Sequence, residues 1–183
     1  PTEDDIDQHF KGRAFKVGTV TTRITEETPK KLHPMPDWAY ERLLKDQLEK
    51  AFANSGITEG IEPAYVVDVE LNKLMFSQTF TEGSHFKTTS TVHGRDRVLA
   101  KFHLVTQGIA AIYSWTSDVC RPMRMRQQIP GMAAIITEAL DGLRNGKRLN
   151  ETVGKLSSAF PFDYVGTGRF SGAKLGEGLY DMD

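Results

Sequence analysis

A single cysteine, Cys120, stands in 183 residues, so the fold can rely on neither a disulfide framework nor a multi-cysteine zinc site. Long apolar runs are missing as well. The most hydrophobic stretches, such as GIAAIY at 108–113, fall far short of the roughly 18–20 residues that cross a bilayer as a helix. Neither sign of charge dominates: Lys plus Arg total 23 against 24 Asp plus Glu, a net charge of −1. That removes the global positive field that draws in nucleic acid or an anionic membrane, and any such binding has to be local. The sequence holds no G-x-S-x-G elbow and no H-E-x-x-H helix. GTGRFSG at 166–172 is glycine-rich but lacks the Lys-Ser/Thr of a Walker loop. Only eleven residues follow Gly172, too few for the helix that a dinucleotide fingerprint opens. The start, PTEDDID, has no initiator Met, basic patch or apolar h-region and reads as a processed or trimmed beginning.

What is present suits an ordinary folded domain. Hydrophobic residues make up 39% and glycines number 16, and a chain of this length buries about two-thirds of the surface its unfolded form exposes. Residues 1–12 are polar and acidic and are expected to form a flexible arm. Residues 13–146 carry the periodic segments of one domain, and 147–183 form a tail rich in glycine and aromatics with no amphipathic pattern.

RAFKVGTVTTRI reads as a strand near 14–24, because Phe15 and Val17 alternate with polar or small neighbours and β-branched residues follow. TEETPKKLHPMP, with its prolines, is a loop. A helix then opens with Asp37 as candidate N-cap. Tyr40, Leu43, Leu44, Leu48, Ala51 and Phe52 give it an apolar stripe, and Gly56 stops it. AYVVDVELNKLMF at 64–76 alternates apolar and polar residues and is a half-buried strand. HFKTTSTVH at 85–93 and residues 97–107 make a hairpin around Gly94–Asp96, while 108–120 either prolong that strand or add another. A second helix is expected from Pro130, with Met132, Ile135, Ile136, Ala139, Leu140 and Leu143 at the helical repeat. The predicted fold is α+β: a two-layer sandwich of an antiparallel or mixed sheet of about four strands, two helices on one face, and an irregular C-terminal tail.

Each candidate for chemistry meets a plainer reading. Asp68 and Glu70 share a strand face roughly 7 Å apart, near the spacing of an acid/base pair; alternating charge on an open sheet face is also what water requires, and that reading is preferred. His85, His93 and His103 lie on hairpin strands, but 85–93 spans about 27 Å of extended chain, too far for one ion to bind both ends. No metal or cofactor is expected. Cys120 has only Arg121 beside it to favour a thiolate, so an unreactive thiol is the preferred reading. The sharpest local anomaly is RPMRMRQQ, where Arg121, Met123, Arg124, Met125 and Arg126 combine charge with polarizable apolar side chains that suit phosphate, an acidic protein or a lipid headgroup.

The run from Phe15 to Gly108, carried by FKVGTV, DWAYERLLKDQLEKAFANSGI, AYVVDVELNKL and HGRDRVLAKFHLVTQG, resembles the core of small Gram-negative envelope lipoproteins. These include the YajG, DUF4136 and LptE types and the auxiliary lipoproteins of ABC transporters. The resemblance implies a non-enzymatic, lipid-anchored protein in the periplasm at the outer membrane. It would serve as an adaptor or structural subunit of a transport or secretion complex, its partners other envelope proteins and its anchor upstream of Pro1. Arg121, Met123, Arg124, Met125 and Arg126, with Phe160, Phe162, Tyr164 and Phe170 of the tail, are the expected partner-binding residues. Two rivals come from other classes. One is a nucleic-acid-binding module using Arg121–Arg126, against which the balanced charge argues; the other is a small-ligand-binding protein or enzyme.

Overall fold

The computed structural model describes residues 8–23, 36–76, 84–109, 120–145 and 162–171. Strand β1 (Arg13–Thr22) leads into helix α1 (Asp37–Ser55), strands β2 (Ile61–Phe76), β3 (Ser84–His93) and β4 (Val98–Ile109), helix α2 (Cys120–Arg144) and strand β5 (Phe162–Ser171). The strands form one sheet in the order β1-β2-β3-β4-β5. β2, β3 and β4 pair antiparallel in sequence, whereas β1 runs parallel to β2 and β5 parallel to β4. The architecture is the expected α+β sandwich, with a mixed sheet.

Why both helices share a face follows from chirality. Each parallel pair is joined through a helix, and such crossovers are right-handed almost without exception. β1 to β2 and β4 to β5 step across the sheet in the same sense with strands pointing the same way, so equal handedness places α1 and α2 on one side. The core agrees: Leu44, Leu48 and Phe52 of α1 and Met132, Ile136 and Leu140 of α2 join one buried cluster with Val67, Val69, Leu71, Val92 and Phe102 of the sheet.

Local chemistry accounts for α1. Its N-cap is Pro36 in extended geometry, without a side-chain cap, so Asp37 is the first helical residue rather than the cap; there its charge faces the positive end of the helix dipole. Tyr40, Leu44, Leu48 and Phe52 are buried as the stripe predicts, joined by Gln47, which a purely apolar pattern does not flag. Gly56 ends the helix in the left-handed region at φ 78°, its N–H donating to the Ala53 carbonyl.

Two of the polar residues inside the core lack a partner for their hydroxyls. Thr88 and Ser90 of β3 are 1% exposed, and their hydroxyls meet no hydrogen-bond partner among the described residues. Thr88→Val removes such a hydroxyl at nearly constant shape, so it should raise stability by about 1 kcal/mol, or roughly 2–4 °C in Tm. A thermal melt that falls instead would show that the hydroxyl is bonded in solution.

The helices run parallel, and their C-terminal ends meet where carbonyls and negative dipole ends gather. Arg144 answers both. Its Nη1 donates to the Gly56 carbonyl over 2.9 Å; its own carbonyl accepts from Gly12 N–H at 3.1 Å, and the Gly12 carbonyl accepts from Ile61 N–H at 2.8 Å. Arg144→Met keeps the stem and removes the donors, and a urea titration should show a loss of about 1–2 kcal/mol. An unchanged midpoint would mean that water replaces the guanidinium without cost.

Three expectations need correction, and one open alternative is settled in part. Residues 8–12, read as part of the arm, belong to the fold: 8–10 form a helical turn and Phe10 is fully buried, edge-on to Tyr65 with ring centroids 5.8 Å apart. Residues 1–7 lie outside the described residues. The second helix begins at Cys120, with Pro130 inside it; the start signal is Pro122, in the first turn, where a missing N–H costs nothing. The tail is not wholly irregular, since 162–171 form β5, and the sheet therefore has five strands rather than about four. Finally, 108 and 109 prolong β4, while 110–119 lie outside the described residues.

Candidate functional site

With the helices on one face, the other face of the sheet has no covering element among the described residues, and β2 turns polar side chains toward it. Burial alternates along β2, with Tyr65, Val67, Val69 and Leu71 inside and Val66, Asp68, Glu70 and Asn72 half-buried on the opposite side. Asp68 and Glu70 thus occupy the open face, as the alternation predicts. Asp68 also has a job there that period two alone does not reveal.

β1 carries an irregularity between Val17 and Val20, where its register with β2 shifts. A bulge of this kind leaves a backbone group unpaired. Asp68 repairs it: its Oδ1 accepts from the Thr19 N–H at 2.7 Å, and its Oδ2 lies 2.9 Å from His93 Nε2 on β3. One carboxylate therefore ties three strands. Its approach requires glycine at 18, because a Cβ there would overlap Asp68 Oδ1 and come within 2.6 Å of Val66 Cγ1.

A second network sits at the second irregularity. The β2–β3 register shifts between Leu71 and Lys73, and at that point Thr89 Oγ1 donates to Asn72 Oδ1 at 2.6 Å while lying 3.2 Å from His103 Nδ1. Threonine has one hydroxyl proton, already given to Asn72, so Thr89 accepts from His103 and the imidazole carries its proton on Nδ1. Asn72, Thr89 and His103 link β2, β3 and β4 across the face. Near the β1 edge, Glu41 of α1 accepts the Thr22 N–H at 2.8 Å, fixing the strand end to the helix layer.

Asp68, His93, Asn72, Thr89 and His103 are thus spent on one another and on the backbone. His93 and His103 engage different partners, and no cluster of three or more His, Cys, Asp or Glu that could hold a metal occurs among the described residues. On the helix side, a shallow groove of about 400 Å³ runs between α1 and α2, with Lys50 and Asn54 on one wall and Glu138 and Asp141 on the other.

The expected partner-binding residues fall on two elements and on one position outside the described residues. Arg121, Met123, Arg124, Met125 and Arg126 stand on the first two turns of α2, not in a loop. At 3.6 residues per turn, positions 121 and 124 are neighbours, while 126 falls about 160° around the axis from 124, so the three arginines cannot all share one face of a regular helix. Phe162, Tyr164 and Phe170 lie on β5, and Phe160 lies outside the described residues. What the sequence reading missed is the Asp68–Gly18 contact. A lone glycine inside a strand pattern is its only local signal, since glycine there often marks a bulge or a close approach.

No family model matches the chain, and no curated protein does. Among solved structures, protein XCC0632 from Xanthomonas campestris, of family DUF330, is similar at 12% identity and a TM-score of 0.48, over 73% of this chain and 88% of that one. That likeness is too distant to place the chain in the family. None of these findings links it to the YajG, DUF4136 or LptE lipoproteins.

Proposed function

We infer that the chain is a non-enzymatic adaptor or structural subunit, lipid-anchored in the periplasm, of an outer-membrane-associated transport or secretion complex. The observation that carries the binding part of this reading is the one-sided layering. Among the described residues, two helices cover one face of a five-stranded sheet, and the opposite face carries polar side chains braced by the Asp68–His93 and Asn72–Thr89–His103 networks. Braced polar side chains lose little entropy when a partner covers them, which favours docking over chemistry. The envelope location rests on the sequence resemblance alone.

The deciding experiment is to express the full-length precursor in its native host, fractionate the membranes and determine the mature N-terminus by mass spectrometry. An acylated cysteine upstream of Pro1 with outer-membrane partitioning is the expected result; an unmodified cytosolic chain would sink the anchored reading. For the arginine-rich start of α2, replacing Arg121, Arg124 and Arg126 by Ser should weaken capture of an envelope partner or of anionic liposomes. Unchanged capture would remove those residues from the interface.

A further inference from the structure

The two edges of the sheet are built differently. β1 is guarded: its register is broken by the bulge, and outward backbone groups near its two ends are taken, Phe15 N–H by the Ile57 carbonyl and Thr22 N–H by Glu41, each at 2.8 Å. Bulges and covered edges are devices that stop strand-to-strand association. β5 has neither. It pairs with β4 through ten consecutive residues without a register shift, and no strand among the described residues lies on its other side.

The sequence of that edge is self-complementary. In FDYVGTGRF, 162–170, antiparallel pairing about Gly166 sets Phe162 opposite Phe170, Asp163 opposite Arg169, Tyr164 opposite Gly168 and Val165 opposite Thr167. Aromatic, opposite-charge, aromatic-over-glycine and β-branched pairs are the cross-strand combinations that stabilise a ladder, and a twofold axis makes each of them twice. The register with β4 is consistent with this. Asp163 is in register with Lys101, so a second copy's Arg169 opposite Asp163 would give a positive-negative-positive row across the three strands. Phe162 and Tyr164 are in register with Ala100 and Phe102 of β4, so the same ladder would continue from β4 through β5 into the second copy.

We propose that β5 is a dimerisation edge, where two copies of this chain join β5 to β5 antiparallel about Gly166 into a ten-stranded sheet. The pairing stands apart from the adaptor reading, which membrane fractionation decides, whereas oligomeric state decides this one. Light scattering on the intact chain at tens of micromolar should give twice the 20.5 kDa chain mass. Asp163→Arg and Arg169→Asp should each yield monomers, and mixing the two variants should restore a heterodimer, because each mismatched position then meets its complement. In case a charge change loosens the fold, a second measurement uses Gly166→Cys in a Cys120→Ser background, which should oxidise to a covalent dimer. Directly opposed residues in an antiparallel pair lie within disulfide reach. The matching Tyr164→Cys chain, opposite Gly168 rather than itself, should not. A monomeric wild type, growth past the dimer as head-to-tail joining of β5 to β1 would give, or cross-linking at 164 but not 166 would each overturn the proposal.

Discussion

A chain ending at residue 160 should lose its cooperative melting transition or melt at least about 10 °C below the full chain, the shift expected when several kcal/mol are removed from a domain of this size. The reason lies in what β5 holds. It supplies ten ladder positions to β4 and completes the crossover that pins α2, whose Met132, Ile136 and Leu140 are part of the core. Without it, β4 becomes an edge strand, and Ala100 and Phe102, now buried, lose the neighbouring strand on one side. A glycine-rich appendage would behave otherwise, since its removal would leave the melt untouched and affect only binding. Calorimetry on the truncated and full chains separates the two, and equal transitions would show that β5 does not dock in solution.

That contrast marks where a sequence is legible. α1, β2 and the β3–β4 hairpin are written in local terms: an apolar stripe at three and four, alternation at two, and Gly56 and Gly94 as punctuation. β5 is not, because FDYVGTGRFS holds two glycines in ten residues and strand interiors are depleted in glycine; its stability comes from β4, some sixty residues away in the chain. The first half of α2 was hidden for a related reason. CRPMRMRQQ lacks an apolar stripe, and Pro130 imitates a helix start. On the open face, the wet side of β2 was readable from its charges, but the partners of Asp68 were not. They lie on β1 and β3, and only the parallel β1–β2 register brings Thr19 within reach.

Gly18→Ala should be among the most damaging single methyl additions to the open face, lowering stability by about 2–3 kcal/mol through the overlap with Asp68 and Val66. Asp68→Ala should cost about 1 kcal/mol, because its carboxylate is about one-third exposed and water can partly replace it at the Thr19 N–H. The two changes should not add. With the carboxylate gone, the new methyl meets only Val66, so the double variant should be more stable than the sum of the singles by about 1 kcal/mol, the size of coupling found between touching residues. Asp68→Asn separates the backbone anchor from the charge: its amide oxygen can still accept from Thr19, so its urea midpoint should stay close to wild type if the bulge is what Asp68 serves. If Asp68→Asn instead loses as much as Asp68→Ala, the pairing with His93 is the larger contribution and the bulge survives without a side-chain acceptor. If Gly18→Ala proves neutral, β1 shifts to admit the methyl, and the sheet edge at 17–20 is more yielding than the Thr19–Asp68 bond implies.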